Sequence, residues 1–124
     1  MGWLDELNRW ALKRIRRQAL GRVEVNGDGS TLVRRDHSRF IRWSDVQEIA
    51  VIKQPNLADS SFALAIRERD STLTIVDDTV PGYAELCEEL SRRLPGVTPY
   101  QKWATEFIAN PDQAGQVIFR RTAD

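Results

Sequence analysis

The sequence predicts an α+β fold: an N-terminal helix, a curled antiparallel sheet of about six strands, a covering helix, a second short helix and a final strand. Three observations carry that expectation. Phe62, Leu64 and Ile66 alternate with Ala63, Ala65 and Arg67, the two-residue period of a strand. Tyr83, Leu86, Cys87, Leu90 and Leu94 recur at three- and four-residue spacing and make one apolar helical stripe. Between residues 23 and 76, short β-prone runs are separated by Asn, Gly, Asp and Ser, the residues of tight turns.

Residues 3 to 20 read as the first helix. Trp3, Leu4, Leu7, Trp10, Ala11 and Ile15 share one face, with Arg9, Lys13, Arg16 and Arg17 mostly on the other. Asp5 and Glu6 fall in its first turn and the cations follow, an order that suits the helix dipole, and Gly21 is a stop. Strands are expected at 23–25, 31–35, 39–43, 46–53, 62–67 and 72–76. The Asn26-Gly27-Asp28-Gly29 stretch is the first hairpin turn. Asp78 or Thr79 is expected to cap the covering helix, with Pro81 in its first turn and Pro95-Gly96 at its end. Thr98, Pro99 and Gln101 resemble a capping box for a helix bearing Tyr100, Trp103, Ala104, Phe107 and Ile108. Asn110-Pro111 stops it, and 116–121 reads as the last strand.

A chain of 124 residues fits one domain, and its formal net charge of zero does not advertise nucleic acid as a partner. The charge is unevenly spread: six cations stand against two acids in residues 1–22, so the rest carries the compensating acidic excess. With one cysteine there is no internal disulfide, which suits a reducing compartment. No apolar run reaches membrane-span length and no secretory leader pattern is present. A cytoplasmic location is expected.

The residues that tempt a catalytic reading have plainer ones. His37, the single histidine, lies in the charged turn Arg35-Asp36-His37-Ser38-Arg39 with no nucleophile nominated beside it. Cys87 lies on an apolar stripe and reads as a small buried hydrophobe. One His and one Cys are too few for a zinc site, and Asp77-Asp78 lacks the spacing of a calcium loop. No catalytic residue, metal or cofactor is expected. Two surfaces are candidates for partners. One is the first helix, through Trp3, Leu7 and Trp10 with Arg9, Lys13, Arg16 and Arg17. The second is a basic patch of Arg34, Arg35, Arg39 and Arg42.

The Trp43-Ser44-Asp45-Val46 corner, the Pro81-Gly82-Tyr83 helix start, Trp103 and the Val117-Ile118-Phe119-Arg120-Arg121 strand resemble a family of small bacterial proteins with a pleckstrin-homology-like (PH-like) meander and covering helix. The resemblance spans roughly residues 22 to 121. It implies a half barrel and a binding role, and it brings no catalytic residues. The expected function is a non-enzymatic protein-binding module, an adaptor or a toxin-neutralising partner, with self-association as a homodimer a further expectation. The alternatives are a membrane-surface or lipid-headgroup binder using the basic first helix, and an unrecognised enzyme. The first helix is expected to dock within the protein or across a homodimer.

Overall fold

The computed structural model describes residues 21–34, 38–55, 60–110 and 112–121. Among them are seven strands and two helices: β1 (Arg22–Val25), β2 (Gly29–Val33), β3 (Ser38–Arg42), β4 (Val46–Pro55), β5 (Ser60–Glu68), β6 (Leu73–Asp77), α1 (Tyr83–Arg93), α2 (Tyr100–Ala109) and β7 (Gly115–Arg120). The α+β class holds. The first helix expected at 3–20 lies outside the described residues.

The single curled sheet does not form, and with it goes the half barrel. The strands divide into an antiparallel sheet ordered β1-β2-β3 and a second ordered β6-β5-β4-β7. The break falls at a 3-10 turn over Trp43–Asp45. Its cause is legible in β4, where Ile49-Ala50-Val51-Ile52 is apolar on both faces, the composition of a central strand. β5 occupies one edge of β4 and β7 the other, so no edge is left for β3. A bulge between Ile49 and Ala50 shifts the β7 register, and both Ile118 and Phe119 are buried in consequence.

One continuous core joins both sheets and both helices, from Val23, Leu32 and Ile41 through Ile49, Val51, Leu64 and Ile66 to Leu86, Leu90, Trp103 and Phe119. Phe62 is only partly buried, packed edge-on against Trp103 at 5.5 Å between ring centroids and tilted against Phe107 at 5.1 Å. Trp43 closes the corner between the sheets: its indole N–H donates to the Asn26 carbonyl (3.1 Å) and its backbone N–H to that of Asp28 (3.1 Å). Arg121 ties the same corner to the end of β7 by donating to the Val46 carbonyl (2.9 Å) and the Trp43 carbonyl (3.0 Å). The Asn26 side chain accepts from the N–H groups of Asp28 and Gly29, so the first hairpin turn is closed by its own asparagine.

Both expected helix caps are replaced. Asp78 accepts from the backbone N–H of Phe62 (3.0 Å) and so latches β5, while Asp77 accepts from the backbone N–H of Thr79 (2.9 Å). The residue before α1 is Gly82, at φ +96°. Pro99 holds the corresponding position before α2, and the Thr98 N–H donates to the Ile118 carbonyl (2.8 Å), which pins the loop to β7. Asp78 and Thr98 are thus engaged by tertiary contacts, whereas Asp77 and Thr79 close a local turn ahead of α1.

Candidate binding groove

α1 is amphipathic by its sequence. Leu86 and Leu90 face the core, and Tyr83, Cys87 and Ser91, four residues apart, form the next row. α2 starts after a short reversal at Leu94–Pro99, helped by Gly96 at φ +88°. The first turn of α2 therefore faces the Tyr83–Cys87–Ser91 row. Between the helices lies an open groove of about 940 Å³. Its floor is Tyr83 and Cys87, Tyr100 stands at its mouth, and Glu88, Arg92 and Lys102 line it as charged groups of both signs. Tyr100 is 49% exposed and packs T-shaped on the buried Trp103 at 4.8 Å, which fixes its ring at the rim.

Tyr83 is the unusual residue. It is 8% exposed, and its hydroxyl is buried without a hydrogen-bond partner. The phenol lies against the Cys87 thiol, which does not satisfy it. Burial drives the phenol's pKa far above its ordinary value, with the Cys87 thiol and Asp78 adding to the effect. An unmade hydrogen bond of this kind costs about 1–3 kcal/mol. The Cys87 thiol is itself pushed up to about 11 by burial, partly offset by Tyr83, with Glu88 adding to the rise. It is neutral near pH 7 and poorly suited to nucleophilic attack. Among the described residues no group of three or more His, Cys, Asp or Glu side chains is arranged to hold a metal ion.

The candidates read from sequence are placed as follows. Trp3, Leu7, Trp10, Arg9, Lys13, Arg16 and Arg17 lie outside the described residues, as do Arg35 and His37. The rest of the basic patch does not gather on one face. Arg39 alternates with Phe40 and Arg42 along β3, so its side chain points inward beside Ile41 while that of Arg42 points to solvent. Arg39 pairs with the Glu68 carboxylate and donates to the Thr74 hydroxyl (3.0 Å). Arg34 is half-buried and already engaged. The groove was missed because its parts lie on two helices separated by a reversal. The available signal was a pair of tyrosines, Tyr83 and Tyr100, each at the start of an amphipathic helix.

Compared with family models, curated proteins and solved structures, the chain matches none of them. Among the described residues no helix is long and apolar enough to cross a membrane.

Proposed function

We propose that this chain is a non-catalytic protein-binding module whose α1–α2 groove receives an extended peptide segment of another protein. The observation that carries this reading is the Tyr83 hydroxyl, buried with no hydrogen-bond partner, on a residue that lines an open groove. A peptide carbonyl or N–H reaching that hydroxyl supplies the missing hydrogen bond, while Tyr100 offers an aromatic face at the mouth. The charges favour a polypeptide over a nucleic acid. Asp78 and Glu88 balance Arg92 and Lys102, so the groove lacks the positive field that a phosphate backbone requires. The neutral Cys87 thiol supports the non-catalytic part of the reading.

The test uses a photo-crosslinking amino acid at Gln101, an exposed lining position, in cells that produce the full chain. A captured protein is then purified and titrated against the wild type and against Ala84→Trp, which fills the groove from an exposed position. Loss of at least about tenfold in affinity, on the order of 1.4 kcal/mol, is expected for the filled variant. A captured protein that binds Ala84→Trp as tightly as the wild type overturns the reading.

A further inference from the structure

The walls of the α1–α2 groove carry their charges in a fixed order. α1 contributes Ala84, Glu88 and Arg92, four residues apart and so on one line of the helix surface. Asp78 lines the groove ahead of the N-terminal end of α1, close enough to Tyr83 to oppose ionisation of its phenol. Along the α1 wall the order is therefore acid, acid, base. α2 begins beside the C-terminal half of α1. A small internal cavity of about 10 Å³ is lined by Cys87, Leu90 and Ser91 on one side and by Val97, Thr98 and Tyr100 on the other. Lys102, in the first turn of α2, adds its charge to the Arg92 end, as does the positive end of the α2 dipole.

These charges do not neutralise one another. Glu88 and Arg92 stand at the spacing at which an acid and a base on a helix commonly pair, yet the Arg92 guanidinium turns to Glu89 (2.9 Å). Glu89 also accepts from Arg93 (3.0 Å), so one carboxylate faces two cations and positive charge is left over at this end. Among the described residues neither Glu88 nor Lys102 takes part in an ion pair, and both are exposed.

We propose, on the groove reading above, that the bound segment is itself dipolar: a Lys or Arg side chain lies against Asp78 and Glu88, and an Asp or Glu side chain against Arg92 and Lys102. The helix sets their separation. At about 1.5 Å of rise per residue, Glu88 to Arg92 spans about 6 Å and Tyr83 to Arg92 about 13.5 Å. An extended peptide covers these distances in about two and about four residues at ~3.3 Å each. Residues two or four apart in an extended chain point to the same side, so one face of the segment presents both charges to the wall. Opposite charges placed in this way fix the register of the segment and its direction along α1.

The probe is a library of random nonapeptides displayed on phage and selected against the immobilised full chain. Enriched sequences are expected to carry a Lys or Arg two or four positions from an Asp or Glu. A selected peptide, synthesised and titrated, should bind Ala84→Trp at least about tenfold more weakly than the wild type, which puts it in the groove. Replacing its basic residue by Glu should cost at least about tenfold on the wild type. Glu88→Lys should restore binding of that altered peptide and weaken the original one. Ala84 and Glu88 are both exposed, so neither substitution disturbs the core. Peptides that lose affinity on Ala84→Trp but carry no such charge pair, or that are indifferent to Glu88→Lys, overturn the dipolar segment and leave the groove standing. Peptides that bind Ala84→Trp as tightly as the wild type, or a library that yields no binder, overturn both.

Discussion

Gly82 stands directly beneath the carbonyl of Val23: a Cβ built on it would lie 2.0 Å from that oxygen. The Val23 N–H also donates to the Pro81 carbonyl at 2.8 Å. The turn that launches α1 is thereby sewn to β1, and this contact couples the helix to the three-stranded sheet. It requires a residue with no side chain, at a φ of +96° that other residues rarely adopt.

Gly82→Ala is therefore expected to lose more stability than the backbone strain alone, which is about 1–3 kcal/mol. Gly96→Ala is the control. It shares a positive φ of +88° but has open space at its Cβ, so only the conformational cost applies. Chemical denaturation should rank Gly82→Ala well below Gly96→Ala, and equal midpoints would show that the Val23 contact is unimportant.

Leu86 is 0% exposed at the centre of the core and Ile108 is 80% exposed on α2. Leu86→Ala should cost about 2–5 kcal/mol, through lost transfer energy and the cavity left behind. Ile108→Ser should stay within about 0.5 kcal/mol of the wild type. Denaturant midpoints for the two variants check both statements.

Glu48 is 4% exposed and its carboxylate is shared by Arg67 on β5 and Arg120 on β7, the latter at 2.8 Å. The carboxylate on β4 thus fastens its two neighbours from the middle. Glu48→Gln should destabilise by about 1–3 kcal/mol, as charge-assisted hydrogen bonds become neutral ones in a dry setting. Arg120→Ala should cost less than about 1 kcal/mol, because that side chain is 63% exposed and water competes for it. A Glu48→Gln midpoint equal to that of the wild type would remove the carboxylate from any role in joining β5, β4 and β7.

Cys87 supplies a pH signature. Its thiol titrates at about 11 in the folded protein against 9.0 for the ordinary group. Below about pH 9 the thiol is protonated in both states. From about pH 9 to 11 the unfolded chain gives up a proton that the folded protein keeps, so stability falls as pH rises. Denaturation midpoints across that window should drop less steeply for Cys87→Ala than for the wild type. At pH 8 a thiol reagent should label the native protein slowly and the unfolded chain fast.

Much of the strand and helix pattern could be read directly, because periodicity is a local property. Leu64 and Ile66 against Ala63 and Ala65, and Leu86 against Glu85, declare their elements without any partner. The division into two sheets was harder to see. Whether β3 or β7 pairs with β4 depends on residues 72 positions apart in the chain, as with Glu48 and Arg120. The continuous apolar run Ile49–Ile52 was the signal, since a strand with one wet face would have alternated. The caps failed for a similar reason: Asp78 and Thr98 found partners on Phe62 and Ile118, and local sequence cannot weigh such offers. The groove was the least legible part, because an unsatisfied Tyr83 hydroxyl is a property of packing and leaves no trace in residue order.

The pairing of β7 with β4 also sets a timetable during synthesis. On the ribosome β4 can pair with β5 as soon as both have emerged, but its other edge stays bare while residues 78–114 are added. Through that interval the nascent chain presents unpaired N–H and carbonyl groups beside Ile49 and Val51, a template for strand addition by any neighbouring molecule. Only the arrival of Gly115–Arg120 withdraws it. A translation product stopped short of β7 therefore exposes the apolar edge of β4, which the completed protein covers with β7.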